Sequence, residues 1–158
     1  MGVSEMTNRL EALEDWAAGL LGQLEPASRI KLARSVGQAL RRSQQQRIIA
    51  QQNPDGSKYM PRKQRNLRGK QGRVKRKIKM FQKLRTASFL KVQGDGNTIS
   101  VGFGGRIAEI ARVHQFGLKD RADKSAPNVK YDQRELLGFT DADIDLIRDR
   151  LLIYLVKS

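Results

Sequence analysis

The sequence predicts an α+β fold, and two observations carry the prediction: amphipathic helical stretches lie at both ends of the chain, and a strong hairpin signal sits near its middle. A chain of 158 residues can bury roughly two-thirds of its unfolded surface, so one domain spanning 1–158 is expected.

From Ser4 to Leu24, Met6, Leu10, Leu13, Ala17, Leu20 and Leu24 recur at alternating intervals of four and three, which places them on one helical stripe. Such a stripe packs either on the chain's own core or on a neighbouring subunit. Glu25-Pro26 punctuates it, because proline is tolerated at the first turn of a helix and not inside one. A second helix is predicted from about Ala27 to Gln51, with Ile30, Ala33, Val36, Gly37, Leu40 and Ile48 or Ile49 facing inward. Its far end, Arg41 to Gln52, is strongly polar and reads as projecting beyond the core. Asn53-Pro54-Asp55-Gly56 ends it with turn-forming chemistry.

Ser57 to Arg73 offers only Tyr59, Met60 and Leu67 as large apolar groups, too little burial to offset ordering entropy, so a flexible basic arm at 57–73 is expected. Ile78, Phe81 and Leu84 then predict a short helix over Lys75 to Arg85. Phe89 to Gln93 and Thr98 to Phe103 flank Gly94-Asp95-Gly96-Asn97, which is a hairpin, with Ile99, Val101 and Phe103 on its buried face. Gly104-Gly105 breaks the strand, and Ile107, Ile110, Ala111, Val113 and His114 follow at helical spacing up to Gly117. Lys119 to Gln133 is a polar loop with a short strand near Val129 to Tyr131. Arg134 to Phe139 carries an apolar cluster, Thr140 is an N-cap with Asp141 and Asp143 in the first turn, and a last helix runs to about Val156 with Ile144, Ile147, Leu151 and Tyr154 or Leu155 inward.

Net charge is +15, and its distribution is uneven. Arg62 to Lys91 holds thirteen Lys or Arg and no acid, leaving eighteen basic and sixteen acidic residues elsewhere. Arg62, Lys63, Arg65, Arg68, Lys70, Arg73, Lys75, Arg76, Lys77 and Lys79 are therefore candidate contacts to DNA or to an acidic protein partner. Only Phe81 and Phe89 are aromatic in this run, so any nucleic-acid contact is expected to be indifferent to sequence.

No residue set matches an enzyme. The glycines of Val101 to Ile107 resemble a phosphate loop, but the dinucleotide pattern needs glycine at Ile107 and the other pattern needs a Gly-Lys-Ser/Thr ending. A strand-to-helix corner explains them. His114 is the sole histidine, cysteine is absent, and the aspartates lack the glycine and terminal glutamate of a calcium loop, so no cofactor or metal is expected. His114, Gln115, Phe116 and Arg134 read as core or subunit-interface residues. The N-terminus lacks the pattern of a secretory signal and no apolar run reaches membrane-span length, so a soluble, unprocessed chain is expected.

Four blocks together resemble the phage virion morphogenesis family: Ile48 to Lys63, Lys79 to Arg85, Val101 to Leu118 and Tyr131 to Phe139. The family's recurring motifs fall on Gln52 to Gly56, Ile107 to Gly117 and Arg134 to Phe139, with Tyr59 where a tryptophan is associated with the position after the turn. The resemblance implies a structural protein without catalytic residues, located in the virion tail or neck and assembled in the host cytoplasm. It further implies neck and tail partners such as tail terminator or tube and head completion proteins, a homo-oligomeric ring with sixfold symmetry, and nonspecific contact with genomic DNA. A nucleic-acid-binding protein acting through 62–91 is the alternative.

Overall fold

The computed structural model describes residues 3–62, 79–121 and 124–157. Among these residues lie four helices, α1 (Val3–Leu21), α2 (Pro26–Ile49), α3 (Arg106–Phe116) and α4 (Asp141–Lys157), and an antiparallel hairpin of β1 (Leu90–Gly94) and β2 (Ile99–Phe103). A second small pair, β3 (Lys119–Asp120) and β4 (Val129–Lys130), lies between α3 and α4 in sequence. The α+β class is the observed one.

Helix α2 is the central element, packing against β1, β2 and α4, while α1 lies against α4. Leu32, Ala33, Val36, Gly37, Ala39 and Leu40 are buried on it. Ile30 is exposed, contrary to expectation, because it stands about 200° around the helix from Leu32. Gly37 permits the closest approach to the hairpin: a Cβ there would lie 2.4 Å from Val92 Cγ1 and 3.2 Å from Ile99 Cγ2. The register pairs Leu90 with Phe103 and Val92 with Val101, so alternation sends one apolar face of the hairpin towards α2. Asp95 closes the hairpin by accepting from the backbone N–H groups of Asn97 and Thr98 at 2.7 and 2.9 Å.

Two apolar clusters result. Ala17, Leu32, Val36, Leu40 and Leu151 form one, joined by Val101, Ile147 and Tyr154. Ile48, Tyr59, Met80, Leu84, Ala111 and Leu136 form the other, joined by Phe81, Phe103 and Ile107. Helix α2 and strand β2 contribute to both. The predicted stop at Gly117 is present: its φ of 63° is the left-handed cap, and Leu118 N–H returns to Val113 O at 2.9 Å. Thr140 caps α4 reciprocally, its hydroxyl accepting from Asp143 N–H at 3.1 Å while the Asp143 carboxylate accepts from Thr140 N–H at 3.0 Å. Asp143 also accepts from the Ser43 hydroxyl, which ties this cap to α2.

Three expectations are corrected. The polar end of α2 does not project: Gln44 and Ile48 are buried and Arg47 points into the second cluster's rim. No helix runs through residues 79–85, because Phe81 takes a φ of 67° and the segment forms successive turns; residues 75–78 lie outside those described. Ile110 is exposed, since the buried face of α3 centres on Ala111 and Val113.

Candidate functional site

The sequence blocks that carry the family resemblance converge on one place, a cage of side chains around the extended segment Arg134 to Gly138. Loops need partners for every buried backbone group, and this one finds them in side chains rather than in a sheet. Arg47 of α2 donates to Glu135 O at 2.8 Å, Leu136 O at 3.0 Å and Gln52 O at 3.2 Å. Gln115 of α3 accepts from the N–H groups of Leu136 and Leu137 at 2.8 and 2.9 Å and donates to Leu137 O at 2.9 Å. Asn53 accepts from Glu135 N–H at 2.8 Å, the Tyr59 hydroxyl donates to Glu135 O at 3.0 Å, and Gln44 accepts from Gly138 N–H at 3.1 Å. Gln44 also accepts from Arg47. Leu136, fully buried, is the apolar pin at the centre.

Both flanks of the basic stretch are fastened beside this cage. Arg134, only 4% exposed, donates to Met60 O at 2.7 Å and Pro61 O at 3.0 Å. Gln51 accepts from Met80 N–H at 2.8 Å and donates to Met80 O at 2.9 Å. Tyr59 N–H bonds to Gln51 O at 2.8 Å, and Asn53 N–H to Ser57 O at 2.8 Å. Residues 57–62, read from sequence as the start of the flexible arm, are thus held to the core by backbone bonds and by the burial of Tyr59. The remainder of that arm, 63–73, lies outside the described residues. So do Lys63, Arg65, Arg68, Lys70, Arg73, Lys75, Arg76 and Lys77, while Arg62 and Lys79 are exposed at the two anchors.

The other four sequence candidates separate. His114, Gln115 and Arg134 turn inward, and Phe116 is 61% exposed. His114 sits edge-on to Phe81, with ring centroids 4.8 Å apart, and to Tyr131 at 5.1 Å. Arg134 Nη1 approaches its Nδ1 at 3.5 Å, and Arg134 N–H donates to His114 O at 2.7 Å. A guanidinium has no acceptor, so this contact suits a neutral ring with its proton on Nε2. Burial, reinforced by the Arg134 and Arg62 charges, pulls His114 down to about 4. Burial also lowers Arg47 and Arg134 from the usual arginine value and raises Tyr59 to about 12. Among the described residues no group of three or more His, Asp or Glu could hold a metal ion, and no helix is long and apolar enough to cross a membrane.

The His114 environment has a measurable consequence. The unfolded chain protonates this ring below about 6.5, whereas the folded one resists until about 4, so between those values the unfolded state binds more protons. Stability therefore falls as pH drops through that window, by at most about 2 kcal/mol from this group once solvent screening of the partly exposed ring is allowed for. Urea unfolding at pH 7, 5.5 and 4 should show this loss in the parent and lack it in His114→Gln. Parallel pH profiles for the two would sink the assignment.

Sequence reasoning missed the cage as a unit. Its signal was present: Val36, Leu40, Gln44 and Ile48 follow at intervals of four, so the inner stripe of α2 continues through a polar residue. The charge of Arg47 and the run of glutamines masked it.

Residues 8–156 match the model of the phage virion morphogenesis family. Tail completion protein S of Escherichia phage P2 is 42% identical over 151 residues, spanning 95% of this chain and 99% of the relative. No solved structure matches the chain.

Proposed function

The chain belongs to the phage virion morphogenesis family, and from that premise we propose that it completes the end of a phage tail and supports stable joining of the tail to a DNA-filled head. The carrying observation is the extent of the likeness to tail completion protein S, which spans 95% of this chain. The role is structural, not catalytic. In support, the motif residues are spent on holding backbone: Asn53, Gln115 and Arg134 each bond to main-chain groups of another segment. What the fold leaves outside is contact surface. Ile110 and Phe116 stand exposed on α3, as do Leu152, Ile153 and Val156 on α4, and such residues suit neighbouring proteins of the tail or neck.

In this reading the protein resides in the tail or neck of the virion after assembly in the host cytoplasm. Its partners are the tail terminator or tube and head completion proteins. Copies of the chain close into a ring around the DNA path, with sixfold symmetry matching the tail. The test is electron microscopy of particles produced when the gene is silenced. Tails of normal length that fail to attach to filled heads, with joining restored by the supplied protein, are the expected result. Tails of uncontrolled length would replace this role with length termination, and intact virions would remove it.

A further inference from the structure

A shallow groove of about 400 Å³ runs between α2 and α4, and its lining is strongly basic. Helix α2 carries Arg29, Lys31, Arg34, Arg41, Arg42 and Arg47 and no acidic residue. Lys31, Arg34 and Arg42 fall at i, i+3 and i+11, on one face, all exposed, and Arg150 of α4 joins them across the groove. Along the helix this stripe extends about 16 Å. Among the described residues, no carboxylate lines the groove and none of these four cations is ion-paired. Like charges gathered along one face repel one another, and an anion lying across them relieves that repulsion.

We propose that this groove receives the phosphodiester backbone of duplex DNA. An acidic protein segment fits less well, because such segments are anchored by apolar side chains, and Ala39 with the ring of Tyr154 is all the apolar lining here. A single strand fits less well because Tyr154 is the sole lining aromatic on which bases could stack, and its hydroxyl points at Lys31 O at 3.5 Å. RNA is not favoured either. A 2′-hydroxyl is recognised partly through acceptors, and the lining is dominated by donors, with only the Ser35, Gln38 and Tyr154 oxygens among its side chains able to accept. What remains is a row of guanidinium and ammonium donors matched to closely spaced phosphates and blind to base sequence. The groove residues lie outside the acid-free run 62–91 in sequence, and the inference does not rest on the assembly role.

The test measures binding of the full-length protein to a fluorescent 24-base-pair duplex of arbitrary sequence across a salt series. The double variant Arg34→Gln/Arg42→Gln removes two exposed charges without touching the core. Loss of two phosphate contacts should weaken binding roughly 10–100-fold near 0.1 M salt and lower the slope of log K against log salt by about 2. The control Arg106→Gln/Lys119→Gln removes equal charge from exposed positions outside the groove, and it should leave the slope within about half a unit of the parent. Circular dichroism melts confirm that both variants are folded. Equal effects of the two pairs, or an unchanged slope in the groove pair, would overturn the inference. So would tighter groove-dependent binding of a poly-glutamate peptide or of double-stranded RNA than of DNA. Phage complementation by the same variants is read separately, so loss of DNA binding with normal head-tail joining leaves the groove standing and divorces it from assembly.

Discussion

Arg47→Met lowers the unfolding free energy by about 3–5 kcal/mol, the expected result of removing the one side chain that holds three carbonyls of two different segments. Methionine keeps the apolar stem of arginine to about the level of Nε and drops the guanidinium, so packing along the stem is kept and the loss reports mainly the polar contacts. Glu135 O, Leu136 O and Gln52 O would each lose a charged donor. Glu135 O keeps the Tyr59 hydroxyl, whereas Leu136 O and Gln52 O lose this donor outright; a buried acceptor left without a partner costs about 1–3 kcal/mol, and water entering at the rim recovers part of that. In a chain of this size the loss corresponds to a melting temperature lower by roughly 10 °C. Arg47→Lys keeps the charge but cannot fork between Glu135 O and Leu136 O, so it should fall between parent and methionine variant. Urea unfolding of the three proteins decides the matter. A methionine variant within about 1 kcal/mol of the parent would show that the carbonyls find other donors and that the cage is not held from α2.

The second large effect comes from Gly138. A Cβ at this position would lie 2.4 Å from Pro54 Cγ and 3.1 Å from its Cβ, far inside van der Waals contact. Pro54 is a ring within a turn, so it cannot swing aside as a lysine or methionine would. Gly138→Ala should therefore cost about 2–3 kcal/mol by forcing the turn and the 134–138 segment apart. The mechanism is checked by a double-mutant cycle. Pro54→Ala removes the obstructing ring, so Gly138→Ala in that background should cost less than about 1 kcal/mol, a coupling of the size expected for touching residues. Additive losses would mean that the glycine is needed for some reason other than closeness to Pro54. Because the contact joins two of the family's recurring blocks, the proposed assembly role predicts that Gly138→Ala also reduces head-tail joining in complementation and that Pro54→Ala restores part of it.

Local structure was readable where one face of an element decides its fate. The α1 stripe, the hairpin with its Asp95 turn, the glycine stop of α3 and the Thr140 cap all appear as the sequence implies, because each is specified by neighbours within a few residues. Three of the failures share one cause. Phe81, Gln44 and the segment 57–62 take their conformations from partners distant in sequence. Gln51 pulls Met80 out of helical geometry across twenty-nine residues, Gln44 reaches Gly138 across ninety-four, and Arg134 holds Met60 across seventy-four. No window of local propensity contains both members of such pairs.

The candidate residues show the same division. His114, Gln115, Phe116 and Arg134 were picked out by sequence as core or interface, and in the folded chain the first two and Arg134 face inward while Phe116 is exposed. By itself, then, the sequence determined the α+β class, the positions of most helices and the hairpin, the concentration of positive charge, and the family to which the chain belongs. These depend on periodicity, composition and motif order, all of which lie along the chain. The tertiary structure alone decided that the motifs form one hydrogen-bonded cage and that α2 and α4 bring Lys31, Arg34, Arg42 and Arg150 into one groove. Both arise because buried carbonyls meet their donors, and Arg150 meets the basic face of α2, only when segments far apart in sequence come together.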